Sequence, residues 1–155
     1  MPLKIKIADE QTRLTLNKAK IRAAVRAALA ESEIADAEIS IALVDDETIH
    51  AINRQFLNHD YPTDVISFPL NDPAMGPDGR LEGEIVISTD TASHESARLA
   101  LPDWTAEKES YLYIIHGTLH LAGYDDHTAD DRCKMYEAEI VCLKKIGFSP
   151  PTGLR

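Results

Sequence analysis

Hydrophobic and polar residues alternate from the start of the chain. Leu3–Ala8 reads LKIKIA, apolar and charged residues in strict turn, and predicts a strand with one buried face. Leu16–Glu31, rich in Ala, Leu and Arg, predicts a helix. Ala37–Val44 (AEISIALV) is strand-like, and Asp45–Phe56, with its acidic start, predicts a short helix. Asp64–Pro69 (DVISFP) and Gly83–Ser88 (GEIVIS) are β-rich runs around a Pro/Gly/Asp loop at 71–80. Thr89–Ala100 predicts a helix. A longer one follows through Ala122, capped by Thr105, with Glu107 and Glu109 in its favourable first turn and Gly123 as its stop. Thr128 with Asp131 resembles a capping box for a last helix ending at Gly147. Strands interspersed with helices predict an α/β (α+β) fold, a single small mixed sheet packed by helices. This pattern does not set the strand order.

No repeat, low-complexity tract or long linker divides the chain, so residues 1–155 are expected to form one domain. No apolar run approaches the roughly 18 residues of a membrane helix, and MPLKIKIADE has no signal-peptide core. A cytoplasmic protein is the expectation. Cys133 and Cys142 fall in the last predicted helix at a spacing that sends them to opposite faces. They are expected to be free thiols, and their spacing matches no zinc pattern.

The net charge of −10 argues against loose electrostatic binding to nucleic acid. Its distribution is uneven: residues 1–30 hold seven basic side chains against two acidic ones. Such a basic face is either a local RNA contact or, more commonly, a solvated helix surface.

The chemistry concentrates in IIHGTLHLAGYDDH, which holds three of the six histidines. His116 and His120 are four apart on the penultimate predicted helix, so both imidazoles share one face and can bind one metal ion. The break at Gly123 then brings Asp126 and His127 round as candidates for a third ligand. Zinc accepts such donors, and a catalytic site uses three protein ligands plus water. An HxxxH pair alone is a weak signal; the turn and its Asp/His strengthen it. Gly117 stands where the metalloprotease motif HExxH carries its Glu base, which argues against a protease. Glycine there is expected to leave room for a close approach to the metal.

HGTLHLAGYD (116–125) resembles the HGxLHLxGYDH signature of the YbeY family of endoribonucleases. PTDVISFP (62–69) is similar to that family's PTDVLSFP, and GEIVI (83–87) to its GDIxI strand. The resemblance covers essentially residues 40–146. It implies an α/β domain with one zinc ion, or another divalent metal, held by the signature. It also implies single-strand-specific RNA cleavage in 16S rRNA 3′-end maturation and ribosome quality control. Implied partners are 16S rRNA in the small ribosomal subunit, with ribosomal proteins or an assembly GTPase as further ones, and no membrane.

Two departures mark a subgroup. The family's third ligand His is replaced by Asp126, with a His one place later. Met135 keeps its family position without a gap, so Asp126 is the expected third ligand and His127 the alternative or additional one. A carboxylate there makes the bound water less acidic and favours harder ions. Leu57 stands where the family carries a cleft-facing Arg, which weakens phosphate positioning; Arg54 is three residues away, and His59 is a candidate replacement. The candidate roles are therefore His59 and Asp64 as catalytic residues and Thr63 and Tyr124 as substrate contacts. Turn chemistry accounts equally for Asp64. The rival function is a non-catalytic ribosome-assembly factor, whose closed structural metal would use both Asp126 and His127.

Overall fold

The computed structural model describes residues 3–71 and 80–154. The expected loop at 71–80 lies almost wholly outside the described residues. Strands β1 (Leu3–Asp9), β2 (Ala37–Val44), β3 (Val65–Pro69) and β4 (Leu81–Ser88) form one sheet in the order β1-β2-β4-β3. β1, β2 and β4 are parallel, while β3 pairs antiparallel with β4 as an edge strand. The helices are α1 (Lys18–Glu31), α2 (Asp46–Leu57), α3 (Thr89–Leu99), α4 (Ala106–Leu121) and α5 (Ala129–Lys145). This is the mixed α/β arrangement expected, and parallel neighbours need such helical crossovers.

Period-2 patterning assigns the two faces of the sheet. Ile39 and Ile41 of β2, with Ile85 and Ile87 of β4, point into the main core under α1 and α4. The opposite face buries a smaller cluster of Val44, Ile49, Ile66 and Val86 under α2. The rest of that face, including Ser40 and Glu84, stays partly open.

Helix α4 occupies the centre. It is apolar around most of its circumference, with Leu112, Ile114, Ile115 and Leu119 all but inaccessible, as befits a helix covered on nearly every side. Its start follows the expected cap: Thr105 Oγ1 accepts the Lys108 backbone N–H at 3.2 Å. Trp104 belongs to the core and donates Nε1–H to Glu109 at 2.7 Å, so Glu109 is buried rather than a solvated first-turn charge. Gly123 at φ +108° ends the helix in a conformation that favours glycine. Thr128 Oγ1 accepts the Asp131 N–H at 3.0 Å and starts α5. The turn between them is short, and it carries the rest of the signature back over α4.

Gly117 corrects one expectation. It faces the sheet and leaves no gap beside the histidines. A Cβ there would lie 2.9 Å from Ile85 Cγ2 and 3.1 Å from Ser67 Oγ. The missing side chain lets α4 approach β3 and β4 closely, and Ser67 Oγ donates to the Gly117 carbonyl at 3.1 Å across that contact.

Candidate metal centre

The two helical histidines meet as their spacing requires. Their ring centroids are 4.6 Å apart with planes at 80°. Each ring has its Nδ1 engaged by a different acceptor. His116 Nδ1–H donates to Glu139 Oε2 on α5 at 2.6 Å. His120 Nδ1–H donates to the Tyr124 carbonyl at 3.1 Å, in the turn that Gly123 opens. A carbonyl can only accept, so the His120 proton sits on Nδ1 and the Nε2 lone pair is left for a cation. Carboxylate and carbonyl partners of this kind are the usual supports of metal-binding imidazoles.

Asp126 completes the cluster. Its Oδ2 is 3.3 Å from His120 Nε2, and donor atoms of His116, His120 and Asp126 all lie within 4.8 Å of one another. Donors about 2.0 Å from a tetrahedral zinc are about 3.3 Å apart, so a small contraction closes this set around one ion. The donor types also suit a divalent cation. His127 is placed elsewhere: 80% exposed, it pairs with Asp125 at 3.0 Å. Among the described residues it shares a second group of donors, all on exposed side chains, with Asp125 and Asp126.

The cluster sits in an open groove of about 430 Å³ between α4, β3 and the end of α2. Leu57, Asp64 and Ser67 line it with His116, His120 and Asp126. Asp64 is held by the backbone around it: its Oδ1 accepts the Val65 N–H at 2.7 Å and the Thr63 hydroxyl at 3.2 Å. Its own carbonyl accepts the Ser88 N–H at 3.0 Å. The turn reading of Asp64 and its place in the groove therefore hold together. The loop before it is pinned from below by buried Asn53, whose Nδ2 donates to the Tyr61 carbonyl at 2.8 Å.

The remaining candidates do not reach the groove. Thr63 sits one residue behind Asp64. His59 is exposed and stacks on Tyr61 with centroids 5.3 Å apart. Arg54 pairs with Asp60 at 3.9 Å. Tyr124 packs its ring against the core, and partial burial raises its phenol pKa; its contribution to the site is its carbonyl. Glu139 went unnoticed in the sequence. It was legible only as a carboxylate on the face of α5 that buries Met135, Ala138, Cys142 and Leu143.

Fold and site together define an α/β protein with a His-His-Asp cluster, in an open groove, suited to a divalent cation. The sequence model of the family described as endoribonuclease YbeY matches residues 5–147. Proteins named endoribonuclease YbeY are similar to it. That of Rhodopirellula baltica is 45% identical over 114 residues, which are 73% of this chain and 56% of that protein. The chain thus spans little more than half the length of that relative. That of Elusimicrobium minutum is 41% identical, over 81% of this chain and 85% of its own length. The solution structure of TM1509 from Thermotoga maritima matches with a TM-score of 0.61 at 25% identity, covering 92% of this chain and 88% of that one. The chain belongs to the YbeY endoribonuclease family. No helix among the described residues is long and apolar enough to cross a membrane.

Proposed function

We propose that this chain acts, as one domain in the cytoplasm, as a metal-dependent, single-strand-specific endoribonuclease in 16S rRNA 3′-end maturation and ribosome quality control. The observation that carries the reading is the His116–His120–Asp126 cluster, open to a groove and supported from behind by Glu139 and the Tyr124 carbonyl. A zinc ion, or a harder divalent ion favoured by the carboxylate, would be held there by these three side chains and would supply Lewis-acid chemistry at a phosphodiester.

The protein's own residues prepare that chemistry. Glu139 and the Tyr124 carbonyl fix both imidazole rings, so the donor atoms need little reorganisation. Asp64, which lines the same groove, would accept a proton or a hydrogen bond from a ribose hydroxyl or a water. The groove is open and polar, so it admits a single strand without excluding solvent. Leu57 makes one lip apolar and 43% exposed, where a base or ribose can rest. A closed structural site would need His127 as a fourth ligand, and its pairing with Asp125 favours the open, three-ligand reading.

The test is cleavage of a 16S rRNA 3′-end fragment by zinc-loaded protein, with His116→Ala purified identically. Cutting by the wild type alone supports the proposal. Equal cutting by both marks the activity as a contaminating nuclease; cutting by neither, on the free fragment and on intact ribosomes alike, removes the proposal and leaves an assembly factor.

A further inference from the structure

An RNA strand entering this groove meets carboxylates. Asp64 and Asp126 line it, and no Lys or Arg among the described residues does. The lip position at the end of α2 is Leu57, which carries no charge. One metal ion offsets part of that field at one point. A polyanion still needs a cation where its neighbouring phosphates lie.

A second hollow, of about 240 Å³, adjoins the groove and shares His116 and Asp126 with it. The two shared side chains therefore stand between the hollows, and a strand crossing the metal centre passes from one into the other. Arg132, Tyr136 and Glu139 line the second hollow with them. Across both linings Arg132 is the sole Lys or Arg among the described residues. It lies in the first turn of α5, exposed, six residues after Asp126. Its Nη1 donates two long hydrogen bonds, to the Asp126 carbonyl at 3.4 Å and the His127 carbonyl at 3.5 Å. These contacts, longer than the usual N–H···O range, put the guanidinium beside the ligand turn without fixing it there. A guanidinium has five N–H donors, so this use of one nitrogen leaves a fork that fits two phosphate oxygens.

We propose that Arg132 is the phosphate-binding residue of this site, gripping the RNA phosphate next to the scissile one from the α5 side of the metal centre. The inference rests on the endoribonuclease reading and deepens it. It assigns the cationic contact to α5, across the metal centre from the apolar lip at Leu57. Arg132 then touches substrate and takes no part in proton transfer.

The experiment measures three quantities for the wild type, Arg132→Gln and Arg132→Lys. They are anisotropy of a labelled, uncleavable 2′-O-methyl single strand against salt concentration, zinc affinity by chelator competition, and cleavage kinetics. Gln keeps an N–H donor for the turn carbonyls but loses the charge. Lys keeps the charge but loses the fork. Arg132→Gln is expected to lower the salt slope by about 0.7 and to raise KM about tenfold, with zinc affinity unchanged. Arg132→Lys is expected to restore the slope but only part of the KM. An unchanged slope in Arg132→Gln overturns the inference, and so does a loss confined to zinc affinity, which would make Arg132 a loop anchor. If the wild type cuts and the slope is unchanged, this inference alone falls. If the wild type neither binds nor cuts, the endoribonuclease reading falls with it.

Discussion

Glu139→Gln isolates what the carboxylate behind the His116 imidazole contributes to the proposed metal site. Glu139 is 2% exposed, and its Oε2 receives the His116 Nδ1–H at 2.6 Å. Gln preserves the shape and one acceptor oxygen and removes the negative charge. The hydrogen bond then changes from charge-assisted to neutral, roughly halving its strength. A carboxylate polarises the ring and makes Nε2 a better donor to a cation, and that effect is lost. Losing such a partner typically costs 10–100-fold in metal affinity, or about 1.4–2.8 kcal/mol. Zinc affinity is read by competition with a chromophoric chelator at neutral pH, beside thermal unfolding of the metal-free protein. Affinity is expected to fall within that range. Metal-free stability is expected to fall much less, because the variant no longer buries a charge. A folded variant with wild-type zinc affinity would refute the claim that Glu139 acts through His116.

Three further outcomes follow from the packing. Gly117→Ala places a Cβ 2.9 Å from Ile85 Cγ2; overpacking of about 1–3 kcal/mol exceeds the roughly 1 kcal/mol helix-propensity gain, so urea unfolding should show a net loss of about 1 kcal/mol. Thiol labelling of the native protein should modify exposed Cys133 and spare buried Cys142, with two thiols reacting after unfolding; two rapid native reactions would contradict the packing of α5. Burial pushes the Cys142 thiol up to about 12 from a model-compound value of 9.0. The unfolded thiol therefore releases its proton first, so this group's contribution is intact below pH 9 and declines between about pH 9 and 12. The urea midpoint should drop across the start of that window, and less so in Cys142→Ala. A midpoint with equal pH dependence in both proteins would contradict the assignment.

Local order was already written into the chain. The alternation in LKIKIA and AEISIALV, the caps at Thr105 and Thr128, and the stop at Gly123 act over a few residues, and each reappears at or within a residue or two of its expected place. The meeting of His116 and His120 is likewise local, because four residues are about one helical turn. The order β1-β2-β4-β3 is not local. Strands β2, β3 and β4 are alike in composition, and their pairing depends on which faces the helices cover.

That Asp126 and not His127 lies beside the histidine pair turns on the direction in which the chain leaves Gly123, a property of the turn and not of residue type. Gly117 was misread because its neighbours, Ile85 and Ser67, come from strands 32 and 50 residues earlier in the chain. Glu139 and Arg132 stayed hidden for the same reason: their part in the site arises when α5 folds back over α4. The sequence determined the elements, the histidine pair and the family, because those depend on short-range periodicity and on a contiguous motif. The tertiary structure decided which carboxylate lies beside the histidine pair, which groups hydrogen-bond the two imidazoles and the charge around the groove, because those depend on side chains brought together from separate elements by packing.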